Sequence, residues 1–207
     1  MEATYELFGA PPGNCIRAAI ALEEAGLPYT VRFVDLAAGE HKDAPHLALN
    51  PAGKVPVLVA REGNKPSFVI TQSNAIIFYV AEKSPGRLLP EEMRSRAVAY
   101  ERYFFFLTDV IAVGHAAFTL KRAGAKDGYA LLTERMLATL ATAERYLENQ
   151  QYMAGDSFSI ADIAAFTIAG SVKTHLPWPT LPAMRRWYEQ IAARPAVAHG
   201  LQAFDVE

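Results

Sequence analysis

The apolar residues of this 207-residue chain change their spacing once, near Gly86, and that change most limits what the chain can fold into. Before it, short apolar runs alternate with amphipathic stretches. Residues 4–8 read as a strand, ended by Gly9-Ala10-Pro11-Pro12-Gly13. Residues 15–25 are helix formers, with Ile16 and Ile20 on one stripe and Gly26 as the stop. Pro28 opens a second strand over 29–35, where Tyr29, Val31 and Phe33 alternate with Thr30, Arg32 and Val34. A short helix is expected at 46–49, closed by Asn50-Pro51. Strands at 57–60 and 68–70 flank the turn-rich 61–66 and suit a hairpin. Residues 73–82 predict a helix that buries Ile76, Ile77, Val80 and Ala81.

A strand–helix–strand start implies a parallel pair with a right-handed crossover, and the hairpin adds an antiparallel edge. The expectation is an α/β domain over 1–83, a mixed four-stranded sheet with helices. Ser84-Pro85-Gly86-Arg87-Leu88-Leu89-Pro90 is the expected linker, 84–90. An all-helical bundle domain is expected over 91–207. Its helices are predicted at 91–122, 129–147, 159–172, 181–193 and 196–201, with a break from Gly124 to Gly128 and with Pro177, Pro179, Pro182 and Pro195 as breakers. The run Tyr103, Phe104, Phe105, Phe106 is expected in the bundle core.

Composition closes off several functions. With 51% hydrophobic residues, the chain has ample material for packed cores. Before Gly86 there are 7 Lys and Arg against 9 Asp and Glu, and after it 13 against 13, so neither half has the positive excess of a nucleic-acid binder. Cys15 is the one cysteine, which precludes an intrachain disulfide and suits a reducing compartment. The N-terminal residues lack the basic and apolar regions of a secretory signal. The longest charge-free run, 66–81, has 16 residues and contains Thr71, Gln72, Ser73 and Asn74, too short and polar for a span of about 20 residues. A soluble, cytoplasmic protein without membrane contact is expected. The five histidines form no i, i+4 pair, and Cys15 has no CxxC partner, so no metal is expected. No GxSxG marks a hydrolase.

Three local features remain. The turn at 9–16 leads into a helix whose free N–H groups and dipole could hold an anion or a thiolate, with Asn14 as an amide donor and Cys15 next to it. The plain alternative is that Asn14 caps the helix and Cys15 packs on the sheet. Ser73, in Thr71-Gln72-Ser73-Asn74-Ala75-Ile76, sits where strand becomes helix. It could hold a carboxylate there or act as an ordinary cap. The third feature is Asn50-Pro51-Ala52-Gly53-Lys54-Val55-Pro56, with a proline at the start of a strand.

Together with Leu27-Pro28-Tyr29 and with Gly155-Asp156-Ser157-Phe158-Ser159-Ile160-Ala161-Asp162-Ile163, these segments resemble, in order and spacing, the cytosolic glutathione transferase superfamily of bacterial type, closest to its nu class. The resemblance implies a thioredoxin-like first domain, a helical second domain and a homodimer. It implies that Val55-Pro56 is cis and that the Val55 backbone pairs with the cysteine of glutathione. Gln72 and Ser73 would hold the γ-glutamyl end, while His41 and Lys54 would reach the glycyl carboxylate. Gln72 is neutral where several classes place Glu, so an acidic partner for the ammonium is expected from elsewhere. No catalytic tyrosine or serine stands where other classes have one. Asn14 falls where nu-class members carry a thiol-facing asparagine, and Pro12 replaces their turn threonine. Asn14 is therefore the first candidate for handling the sulfur and Cys15 the second.

The implied activity is detoxifying conjugation of glutathione to a small apolar electrophile, or glutathione-dependent disulfide reduction. A non-catalytic interaction protein on the same scaffold, like the stringent-starvation-type regulators, is the rival. Val55-Pro56 and Gln72-Ser73 speak against it. A zeta-type isomerase would need a serine- and cysteine-rich turn, which this chain lacks. Ser159-Ile160-Ala161-Asp162 has the form of a capping box, with Phe158 and Ile163 as its staple.

Overall fold

The structure, a computed structural model, describes residues 3–205 apart from 12 and 64. The Pro12 replacement lies outside the described residues. The chain divides into two compact units, Met1–Leu88 with Arg194–Glu207, and Leu89–Ala193.

In the first unit, strands β1 (Thr4–Gly9), β2 (Tyr29–Phe33), β3 (Val57–Arg61) and β4 (Phe68–Ile70) form one sheet in the order β2-β1-β3-β4. β1 pairs parallel with β2 and antiparallel with β3, and β3 pairs antiparallel with β4. The mixed sheet inferred from the crossover and the hairpin is therefore present. Val57, Leu58, Val59 and Ala60 are all buried, so β3 is covered on both faces. β2 lies at the sheet edge and ends at Phe33, two residues earlier than the alternation predicts. Arg32 on β2 and Arg61 on β3 both pair with Glu6 of β1 across the strands, and they hold its carboxyl below the usual range.

The helices of this unit are α1 (Asn14–Ala25), α2 (Ala44–Leu49) and α3 (Ser73–Lys83), with a 3₁₀ turn at Glu40–Lys42 before α2. Gly26 ends α1 at φ 66°, and the Leu27 N–H reaches back to the Leu22 carbonyl at 3.0 Å. The last helix of the chain, α10 (Pro195–Gln202), packs on α1 in this same unit. This corrects the expected assignment of 194–207 to the helical domain. Arg194 forks onto Glu24 at 2.6 and 2.7 Å. A Cβ on Gly200 would lie 2.8 Å from the Ile20 backbone nitrogen, so only glycine permits this approach.

The second unit is helical: α4 (Met93–Phe104), α5 (Ala112–Arg122), α6 (Lys126–Ala141), α7 (Glu144–Leu147), α8 (Ile160–Ser171) and α9 (Pro182–Ala192). A π-helical stretch, Phe105–Ile111, joins α4 to α5 into one run. That run, Met93–Arg122, is long and apolar enough by length and composition to cross a membrane, although Asp109 interrupts it. Its Ala99, Tyr103, Phe106, Val110 and Ile111 are buried in the helical core. Of the aromatic run, only Tyr103 and Phe106 are fully buried. Phe104 is exposed, and Phe105 meets Tyr146 edge to face.

Both ends of α6 differ from expectation by three residues or more. Gly128 does not break α6, which starts at Lys126. Its missing side chain admits Leu120, whose Cδ1 would lie 3.0 Å from a Cβ there. The helix expected over 129–147 stops at Ala141, because i→i+3 bonds from Ala143 to Leu140 and from Arg145 to Thr142 tighten the chain before α7. α8 is buried around its whole circumference from Ile160 to Phe166, so it forms the centre of this unit.

Candidate active site

The antiparallel pairing of β3 with both neighbours sets the C-terminal ends of β1 and β4 beside the N-terminal end of β3. The registers Phe8↔Val57 and Leu58↔Ile70 fix this arrangement. The three segments singled out in the sequence therefore meet at one end of the sheet. They are the turn into α1, the loop from Asn50 to Pro56 and the turn into α3.

At the start of α1, the cap position belongs to Gly13, with φ 81° and no side chain to offer. Asn14 is the first helical residue and does not cap, which removes the plain alternative for it. Its Oδ1 accepts a bond from Arg17 Nη1 at 3.2 Å. The oxygen being committed, the amide N–H₂ is the group left to face a ligand. Arg17 is only 3% exposed, a buried cation in the first turn that sequence reasoning missed. Its signal was an arginine among Ile16, Ala18, Ala19 and Ile20.

Cys15 is 2% exposed, and burial pushes its thiol up to about 11 despite a bond with the Ala10 backbone. A Cβ on Gly9 would lie 2.7 Å from the Phe204 ring and 3.0 Å from Cys15 Cβ, so glycine lets the C-terminal Phe204 pack over this spot.

In the loop, the Val55–Pro56 peptide is cis, as the resemblance implies. Val55 precedes β3, so its N–H and C=O lie outside the ladder. The Lys54 carbonyl accepts bonds from Asn50 Nδ2 at 2.7 Å and His46 Nε2 at 3.1 Å. Asn50 Oδ1 in turn accepts the Ala52 N–H at 3.1 Å. Lys42 donates to the Gly53 carbonyl at 3.1 Å and straps the 3₁₀ turn to the loop. His41, on that turn, lies beside Gly53, and its buried Nδ1 has no hydrogen-bond partner among the described residues. The Lys54 side chain is exposed. Lys42 and His46 were not anticipated, because their partners are backbone carbonyls that no side-chain pattern announces.

At the start of α3, Gln72 holds the cap position in an extended conformation, exposed and without a side-chain cap bond. Ser73 is the first helical residue, 4% exposed, and so is not the ordinary cap either. Neither α1 nor α3 has an acidic residue in its first turn, so the positive ends of both helices face the site without a carboxylate from their own first turns.

The models of the glutathione S-transferase N-terminal and C-terminal domains match residues 3–82 and 107–195. The chain is 30% identical to disulfide-bond oxidoreductase YfcG of Escherichia coli (strain K12), over 95% of this chain and 94% of that protein. The chain belongs to the glutathione S-transferase family. It is also 32% identical to glutathione S-transferase 3 of Zea mays, over 94% of this chain and 91% of the relative. Among solved structures, it is similar to a glutathione transferase family member from Pseudomonas fluorescens with two glutathione bound (TM-score 0.84, 25% identity, 95% and 92% of the two chains covered). A glutathione transferase from Burkholderia graminis, with two glutathione molecules bound per subunit, is similar at TM-score 0.86 and 25% identity over 99% and 90% of the two chains.

Proposed function

We propose that this transferase binds glutathione at the described end of the sheet, activates its thiol with Asn14 and the start of α1, and uses the thiolate for conjugation or disulfide reduction. The observation that carries the proposal is the pair of helix starts, α1 and α3, brought beside Val55 with no acidic residue in either first turn. Glutathione brings a thiolate and two carboxylates, the charges such positions stabilise.

Ser73 and Gln72 take the γ-glutamyl carboxylate at α3, the Val55 backbone takes the cysteine main chain, and Lys54 with His41 takes the glycyl carboxylate. Asn14 donates its N–H₂ to the sulfur, and Arg17 holds the amide that way round. Cys15 does not carry the chemistry, because a buried thiol pushed up to about 11 holds little thiolate at neutral pH. In conjugation, the thiolate attacks an electrophilic carbon and a leaving group or electron pair departs. In reduction, it attacks a disulfide sulfur and expels one thiolate. A second glutathione thiolate then attacks the mixed disulfide and releases glutathione disulfide and the second thiol. The YfcG likeness and the two glutathiones in the Pseudomonas neighbour favour reduction.

A cytoplasmic homodimer completes the proposal. Phe104, Phe118 and Leu131 expose apolar surface on the helical unit of the kind interfaces bury. Calorimetry with glutathione tests the site, and turnover of a small disulfide against an aryl halide separates the two reactions. Absence of glutathione binding overturns the proposal and favours the interaction-protein reading. Light scattering tests the dimer.

A further inference from the structure

His46 is a buried histidine, 6% exposed, on a helix that supplies no candidate ligand group. Its Nε2 lies 3.1 Å from the Lys54 carbonyl oxygen, and because a carbonyl only accepts, this nitrogen carries the proton. Asn50, one helical turn further on, donates to the same oxygen at 2.7 Å. Two donors from one end of α2 thus converge on a single carbonyl of the loop.

That carbonyl shares its peptide unit with the Val55 N–H. The Lys54–Val55 bond is trans, since Val55–Pro56 alone is cis among the described residues. In a trans peptide the C=O and N–H point in opposite directions. Tethering the oxygen toward α2 therefore aims the Val55 N–H away from α2. Pro56 has no N–H, so this is the last backbone donor before β3 begins at Val57.

We propose that His46 is a positioning residue for glutathione: with Asn50 it fixes the Lys54–Val55 peptide plane so that the Val55 N–H is presented to the main chain of the bound tripeptide. The inference rests on the glutathione reading above. The donor matters here, not the ring. His46→Phe keeps an aromatic ring and removes the N–H, whereas His46→Gln returns an N–H at a similar reach.

The experiment is calorimetry with glutathione on the wild type and both variants, together with ¹⁵N-resolved spectra that follow the Val55 amide as glutathione is added. Wild-type binding should shift the Val55 amide proton strongly downfield. His46→Phe should raise Kd by about two- to tenfold, as expected for one lost neutral hydrogen bond, and should shrink the Val55 response. Turnover at saturating glutathione should be unchanged, and His46→Gln should restore both Kd and the Val55 shift. A wild type that binds glutathione, with Kd and Val55 response unaltered in His46→Phe, overturns the inference alone, even if the variant melts earlier. Equal loss in His46→Gln also overturns it, by showing that the ring and not the donor matters. A wild type that binds no glutathione overturns the proposed function and this inference together.

Discussion

At three helix starts of the helical unit, α4, α8 and α9, carboxylates from the chain itself are in place. Glu92 accepts the Arg94 and Ser95 N–H groups at α4, and Glu144 accepts those of Ala183 and Met184 at α9. At α8, Asp162 closes a capping box with Ser159. In the sheet unit, α1 and α3 begin with Gly13 and Gln72 at the cap positions, and neither supplies a cap bond. The same four orphan N–H groups exist at every helix start. Where the chain supplies the anion, the position is architecture. Where it leaves the position open, a ligand's anion can complete it. The comparison therefore sets Asp162, whose bonds belong to the fold, apart from Asn14 and Ser73, which we propose serve the ligand.

The largest expected effect tests the filled side. Asp162 is fully buried and accepts from Met153 N at 2.9 Å, Ser159 N at 2.9 Å, Ser159 Oγ at 3.1 Å and Trp187 Nε1 at 2.8 Å. Asp162→Ala orphans these buried donors, so unfolding should become easier by about 3–5 kcal/mol, lowering Tm by about 10 °C. Denaturant titration measures the loss, and an unchanged midpoint would break the comparison.

The titration of the same group gives a second test. Burial outweighs the four donors and raises this carboxyl from 3.8 to about 6. Between about 6 and about 4 the folded state thus binds a proton that the unfolded state lacks. Folding stability should rise as pH falls through that window, by about 1.4 kcal/mol per unit at most. Asp162→Asn should lack this contribution, and matching pH profiles of unfolding for wild type and variant would count against it.

Asp162's role was legible in the sequence because a capping box is local: Ser159 and Asp162 sit three residues apart, with Phe158 and Ile163 beside them. The sheet was legible for a similar reason, since crossover handedness and hairpin length leave few orders of four strands. The open helix starts were harder to read. Asn14 and Ser73 are residues that usually cap, and only the left-handed Gly13 and the extended Gln72 show that each stands one place further in. Contacts between distant segments carried no signal. Arg194 meets Glu24 across the whole chain, and Gly200 matters only because Ile20 lies under it. His46 and Lys42 bind carbonyls, which every residue has.

On the open side, Ser73→Ala should remove one hydrogen bond to the ligand's carboxylate. Bonds to charged groups contribute about 1.5–3 kcal/mol, so Kd for glutathione should rise by about tenfold or more. Because Ser73 caps nothing in the free protein, its melting temperature should stay close to wild type. A large melting shift with unchanged affinity would move Ser73 to the architectural class. Asn14→Ala should act on the sulfur instead. Loss of one amide donor should raise the bound thiol's apparent pKa by about one unit, which is about 1.4 kcal/mol of lost thiolate stabilisation. Thiolate absorbance against pH measures this directly, and turnover near neutral pH should fall about tenfold.

The smallest effect belongs to Cys15, and its smallness is informative. Cys15 is next to Asn14 in the chain but points the other way, into the core beneath Gly9. Burial pushes its thiol up to about 11, so at pH 7 only about one part in ten thousand is thiolate. A nucleophile so rarely ionised and so little exposed cannot compete with a ligand thiol held at an open helix start. Cys15→Ser should therefore keep turnover within about twofold of wild type, the modest change expected when a substitution leaves the reacting groups in place. Its cost should fall on stability, because a hydroxyl is harder to bury than a thiol. Iodoacetamide should label the folded wild type slowly, and mass spectrometry after incubation with glutathione disulfide should find no adduct. A glutathione adduct on Cys15, together with an inactive and normally stable Cys15→Ser, would assign the sulfur chemistry to the residue after Asn14, and the open start of α1 would then serve a thiolate of the chain.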